Sequence, residues 1–144
     1  MSVGVEALDA DHRHLLDITA TLEEAVEGGA SGMQVGELLQ ELIDYADTHL
    51  SREEYLMEKL GFEDTTPHIA THDVFRRWIS DLHARHAGED VCTLSSKVLD
   101  YLNNWWINHI LKSDMEYKHF FSANAGKIEG LLKEWEKTHQ SAAQ

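Results

Sequence analysis

In each of four long segments of this chain, apolar side chains recur at intervals of three and four residues, and in every segment a histidine or a carboxylate sits inside the apolar stripe. Such intervals gather apolar groups on one face of a helix. Strand-like alternation is absent and a single proline occurs in 144 residues, so the chain is expected to be all-α. Helix one is predicted from about Asp9 to Glu27, with His12, Leu15, Leu16, Thr19, Leu22 and Val26 inward. Helix two is predicted from about Met33 to Leu60, with Val35, Leu38, Leu39, Leu42, Ile43, Ala46, His49, Glu53, Leu56 and Leu60 on its inner face. Helix three opens near Thr66, with Pro67 in a first turn that needs no N–H, and reads His68, His72, Phe75, Ile79 and Leu82. Helix four, from about Asp90, reads Leu94, Val98, Leu102, Trp105 and His109, and continues or restarts through Asp114, Tyr117 and Phe121.

Gly28, Gly29, Ser31 and Gly32 part the first segment from the second, Gly61 through Pro67 the second from the third, and Ala87 to Asp90 the third from the fourth. Short connections favour antiparallel neighbours, which predicts an up-down-up-down four-helix bundle over residues 1–123. After Asn124, the residues Ile128, Leu131, Leu132 and Trp135 share one helical face. They predict a short additional C-terminal helix in an amphipathic extension, 124–144, that caps or braces the bundle or offers a surface for a protein partner or self-association.

Charge narrows the function. Twenty-six acidic against twelve basic side chains give -14, which repels nucleic-acid phosphates and anionic membrane surfaces. No apolar run approaches the roughly 20 residues of a membrane span. One cysteine, Cys92, excludes an internal disulfide, and no secretory signal is evident, so a cytoplasmic protein is expected.

Ten histidines are the odd feature of the composition. A polar group costs several kcal/mol to bury without a partner, so histidines and carboxylates in all four core stripes need one common explanation, and metal is the economical one. A lone His-x-x-x-His pair carries little weight, because about one is expected by chance at this histidine content. The joint register carries more. His49 and Glu53 are four apart on helix two, and His68 and His72 repeat that spacing on helix three, which sets each pair on one face. His109 and Asp114 are five apart. On a straight helix the second would rotate away from the first, so a widened turn or a local break is expected there.

Val3-Gly4-Val5 with Asp9-Ala10-Asp11-His12, then His49 to Glu53, His68 to His72, and Trp105-Trp106-Ile107-Asn108-His109-Ile110 with Asp114 together resemble the hemerythrin family, over nearly the whole chain from Val3 to about Phe121. The resemblance implies two non-haem iron ions. His68, His72 and His109 would hold one, His12 and His49 the other, with Glu53 and Asp114 bridging them along with an oxo or hydroxo group. It further implies an open position on the second iron that takes dioxygen reversibly, in an oxygen carrier, store or sensor that is not an enzyme. Phe75, Trp105, Trp106 and Ile110 are the expected wall of an apolar oxygen pocket. Trp106 departs from the family, where leucine is common. Tyr117, one turn beyond Asp114, is placed to donate to a ligand, although packing is the plainer role.

Other readings stand beside these. A single inward histidine is more often a satisfied core residue than a ligand. His14, about 200° around the helix from His12, together with His83, His86, His119 and His139, is expected not to ligate. Imidazole also suits zinc, cobalt and copper, so iron rests on the resemblance. The same site would serve a peroxidase-like or nitric-oxide-reducing enzyme, or a signalling module responding to oxygen or iron. The oxygen-activating bundles rely on paired Glu-x-x-His motifs. Here the motif from Glu136 to His139 lies in the tail, beyond the stretch that carries the resemblance.

Overall fold

The structure is a computed structural model and describes residues 3–87 and 96–143. Helix α1 spans Glu6–Glu27, α2 Gly32–Leu60, α3 Thr65–Ala87 and α4 Ser96–Asn108; a π-helical segment follows at His109–Asp114, then α5 at Lys118–Ala123 and α6 at Ala125–Ala143. No strand occurs among the described residues. The expected start of the fourth helix at Asp90, with Cys92 and Leu94, lies outside them.

Local signals explain the helix ends. Helix α1 begins one turn earlier than periodicity predicts, and Asp9 Oδ1 accepts the Val3 amide at 2.8 Å, tying the preceding strand of chain to the first turn. Gly4 takes φ +84° there, and a Cβ on it would meet Ser122 Oγ at 3.3 Å, so glycine lets this stretch lie close against α5. Ser31 and Gln34 form a reciprocal capping box at the start of α2. Gly61, at φ +74°, closes α2 in the left-handed conformation, and the Phe62 amide reaches back to the Met57 carbonyl at 2.9 Å.

Two apolar clusters make the core. The larger contains Leu15, Leu22, Leu39, Leu42, Leu50, Phe75, Ile79, Leu102 and Trp106. The smaller joins Val3, Val5, Leu8, Leu56, Met57, Tyr117, Phe121 and Ile128. Along α1 the chain passes from Leu8 in the smaller cluster, past His12, to Leu15 in the larger; along α2 it passes from Leu50, past Glu53, to Leu56. Helix α3 leaves His68 and His72 for Phe75, and α4 returns from Trp106 past His109 toward Tyr117. Successive helices therefore run in opposite directions, and a buried polar layer separates the two clusters.

Among the described side chains, which do not include Val98, the inward faces follow the sequence reading with one refinement on α4. Trp106, not Trp105, is the wholly buried indole of the pair, and Trp105 packs at the seam. The C-terminal extension is longer than a short brace. Helix α6 has 19 residues, buries Ile128 and Trp135, and lies along α2. No helix among the described residues is long and apolar enough to cross a membrane.

Candidate metal centre

The polar layer draws on all four main helices. Helix α1 supplies His12, α2 supplies His49 and Glu53, α3 supplies His68 and His72, and the end of α4 with the π segment supplies His109 and Asp114; all seven are buried, Glu53, His72 and Asp114 completely. On an α-helix, residues five apart diverge by roughly 140°. The π segment His109–Asp114 removes that divergence with its wider i→i+5 turn and brings His109 Nε2 to 2.9 Å from Asp114 Oδ1. Of the widened turn or local break expected from the sequence, the widened turn is the one present, and Ile110 within it is fully buried.

The ligating atoms form two overlapping sets. Glu53, His68, His72, His109 and Asp114 each offer an atom within 4.8 Å of the others, and so do His12, His49, Glu53 and Asp114. The two carboxylates belong to both. His12 Nε2 lies 3.0 Å from Asp114 Oδ2, His49 Nε2 lies 2.6 Å from Glu53 Oε1, and His68 Nε2 lies 3.1 Å from Asp114 Oδ1. His72 Nε2 and His109 Nε2 are 3.1 Å apart.

Several of these atoms are close without being aligned. His12 Nε2, His49 Nε2, His68 Nε2, Glu53 Oε1 and both Asp114 oxygens are buried and make no hydrogen bond, despite the short distances. They converge on shared points rather than facing one another as donor and acceptor. A buried polar atom without a partner costs about 1–3 kcal/mol, and a cation at each focus removes that cost for the whole set. Imidazole nitrogens with two shared carboxylates suit a pair of divalent transition-metal ions, so the donor set fits two iron ions.

A further shell of side chains orients the set. His49 Nδ1 meets Asp11 Oδ2 at 3.0 Å, and Asp11 also accepts from the Tyr45 hydroxyl at 2.9 Å and from Arg52. His72 Nδ1 meets Glu54 Oε2 at 2.7 Å, and Arg76 donates to the same oxygen at 2.8 Å. A carboxylate at Nδ1 makes that nitrogen the proton carrier and leaves Nε2 with its lone pair toward the centre. Sequence reasoning assigned no role to Asp11 or Glu54. The available signal was a carboxylate beside each ligand, at Asp11-His12 and Glu53-Glu54, but its target lies on another helix.

Electrostatics in the metal-free site are divided. Burial alone would depress His49, yet Glu53 and Asp11 outweigh it and raise the ring's pKa to about 10. Burial dominates at His72, with the neighbouring His109 and His68 rings adding to it, and takes the pKa down to about 3. Burial pushes Asp114 upward, but the surrounding imidazoles, His109 first, hold it well below the ordinary carboxylate range. Glu53 is also lowered, against burial and the Asp114 charge, chiefly by His49. Burial, with Asp114 and Glu53 adding to it, pushes Tyr117 well above 10, so its hydroxyl stays protonated and donates to Glu53 Oε2 at 2.6 Å.

Of the expected pocket residues, Phe75, Trp105 and Trp106 pack beside the same layer. Trp105 stacks on His109, with ring centroids 4.6 Å apart and planes 10° apart, and Phe75 stacks on Trp105 at 4.2 Å. Trp106 meets Phe75 edge-on at 5.0 Å and stands 6.3 Å from the His49 ring. A groove of about 330 Å³ beside α3 and α4 is lined by Trp105 and His109 together with Thr71, Tyr101, Asn104, Asn108 and Lys112. His14 is exposed and lies at a tilt against Tyr45, and His119 and His139 are exposed. Neither they nor the half-buried His83 enter either set, and the side chain of His86 lies outside the described residues.

Comparison with known proteins agrees in family and in fold. The model of the hemerythrin HHE cation binding domain matches residues 3–121. The bacteriohemerythrin of Stenotrophomonas maltophilia is 29% identical over 142 residues, covering 98% of this chain and 86% of that protein. The bacteriohemerythrin of Methylococcus capsulatus is 32% identical over 116 residues, 80% of this chain and 86% of its own length. A crystal structure of wild-type hemerythrin superposes with a TM-score of 0.76 at 28% identity, covering 81% of this chain and 88% of that one.

Proposed function

Because this chain belongs to the hemerythrin family, we propose that it binds dioxygen reversibly at a non-haem di-iron centre and serves as an oxygen carrier, store or sensor rather than as an enzyme. One observation carries the reading: the convergence of five imidazoles and two carboxylates into two overlapping buried sets that share Glu53 and Asp114. In this reading His68, His72 and His109 would hold one ion and His12 and His49 the other, with Glu53 and Asp114 available to both. The side with fewer protein donors is the one left open to dioxygen. A di-iron pair supplies two one-electron donors and that open position.

The chain's own residues do the rest. Asp11 and Glu54 set the orientation of His49 and His72 through their Nδ1 atoms. Tyr117 keeps one lone pair of Glu53 occupied and directs the carboxylate. Phe75, Trp106 and Ile110, all buried, together with Trp105 stacked on His109, limit access of water and stray protons to the layer, which favours release of the gas unchanged over its reduction. Only two carboxylates enter the donor set, few anionic groups with which to stabilise higher oxidation states. We assign the bundle to residues 1–123 and regard 124–144 as an extension, on the family match ending at residue 121 and on the break at Asn124. A lone Cys92, with no second thiol to pair, suits a cytoplasmic setting.

Metal analysis joined to optical spectra under nitrogen and then air tests the function. About two irons per chain and a visible charge-transfer band that appears with air and disappears on deoxygenation are expected. Two irons with no reversible band end the carrier reading, and steady turnover of peroxide or nitric oxide replaces it with an enzyme.

A further inference from the structure

The two sides of the site are supported in parallel but not identically. On one side, His72 leans on Glu54, and Glu54 is gripped by Arg76, which also bonds Asp47 and Asp73 at 3.1 Å each. On the other side, His49 leans on Asp11, and Asp11 is gripped by Arg52. Arg76 has three acidic partners. Among the described residues Arg52 has one acidic partner, Asp11, and its other face lies under the ring of Trp135, with the guanidinium carbon 4.7 Å from the ring centroid.

Trp135 belongs to α6 and is buried, so the C-terminal helix forms the roof over Arg52. The guanidinium is largely withdrawn from water there, and its buried Nε makes no hydrogen bond. A cation in that position is held by the quadrupole of the indole and by the carboxylate beneath it. Tyr55 adds a second tie between α2 and α6, donating to Glu134 Oε2 at 3.2 Å. An unbroken series of polar contacts therefore runs from α6 through Trp135, Arg52 and Asp11 to His49, whereas among the described residues α6 approaches His72 only through ring and apolar packing, from Ile128 by way of Tyr117 and His68.

We propose that Asp11 is the positioning residue for His49 and that Trp135 holds Asp11 in place through Arg52, so that docking of α6 is coupled to metal affinity more strongly on the His12/His49 side than on the His72/His109 side. This rests on the di-metal reading above. On that reading, the side more strongly coupled to α6 is the side open to dioxygen. Coupling of this kind is reciprocal: an ion on that side also strengthens the seating of α6.

Cobalt(II) titration of the full-length metal-free protein, followed by visible absorption, tests it, with hydrogen exchange of residues 129–135 as a second readout. Asp11→Ala is expected to weaken one of two cobalt equivalents about 10–100-fold and leave the other unchanged. Asp11→Asn, which keeps an acceptor oxygen, recovers part of the loss. Trp135→Leu weakens the same equivalent by about two- to tenfold, and Trp135→Phe restores it. Glu54→Ala weakens the other equivalent and is indifferent to Trp135→Leu. Cobalt slows exchange across 129–135 in the wild type and not in Asp11→Ala. Two equivalents bound as in the wild type by Asp11→Ala, or both weakened equally, overturn the proposal and leave the di-metal reading standing. A wild type that takes up no second equivalent ends that reading, and the proposal with it.

Discussion

Tyr117 donates a 2.6 Å hydrogen bond to Glu53 Oε2 across the bundle, and both side chains are wholly buried. The tyrosine follows the π segment on the chain, so the same widened turn that aims Asp114 also sets Tyr117 above a carboxylate of α2. A hydrogen bond to a charged group is worth about 1.5–3 kcal/mol. Tyr117→Phe should lower the unfolding free energy by about that much while metal content stays near the wild-type value, as read by denaturation and metal analysis. It should also shift the visible spectrum of the loaded protein, because Glu53 is then free to rotate.

Trp106 is buried next to Phe75 and His49, and its indole N–H is without a hydrogen-bond partner. Trp106→Leu opens a cavity beside the His12/His49 side but also removes an orphaned donor. The two effects oppose each other, so the stability loss should stay below the roughly 3–5 kcal/mol typical of deleting a large aromatic. The dioxygen off-rate or the autoxidation rate should change. If both keep their wild-type values, Trp106 is not part of the pocket.

The metal-free protein should be most stable near pH 6.5, and the two sides of the site give the sign. His72 has its folded pKa lowered from 6.5 to about 3, so between those values the unfolded chain binds more protons, and stability rises with pH. His49 has its folded pKa raised from 6.5 to about 10, so its contribution is complete below 6.5 and is lost as pH rises toward 10. Urea denaturation of the metal-free protein from pH 4 to about 10 should trace a maximum between the two limbs. His49→Gln should flatten the alkaline limb only, and an alkaline limb unchanged by that substitution would contradict the assignment.

Removing α6 should destabilise the bundle. Ile128 and Trp135 are buried against the body of the protein, and burying one large apolar side chain contributes roughly 1.5–3 kcal/mol. A chain ending at Ala123 should melt at a lower temperature than the full chain in both the metal-free and the loaded state. Equal melting temperatures would mean that α6 does not brace the fold.

Periodicity made much of this molecule legible without coordinates. An apolar stripe interrupted by His12 on α1, by His49 and Glu53 on α2, by His68 and His72 on α3 and by His109 on α4 can only be buried if those polar groups meet, so helix count, direction and site followed together. The interval from His109 to Asp114 called for a widened turn or a local break, because residues five apart do not share a face on an α-helix, and the π segment is the form it takes.

Other features were decided only in three dimensions. Asp11 and Glu54 lie beside ligands in the chain but serve histidines of another helix, His49 and His72. Trp106 rather than Trp105 fills the core, and Trp135 covers Arg52 from far along the chain. A sequence sets which face of a helix is apolar. The rotation and offset of one helix against its neighbour, which select the partner across the gap, are set by how side chains of particular volume interlock when the core closes.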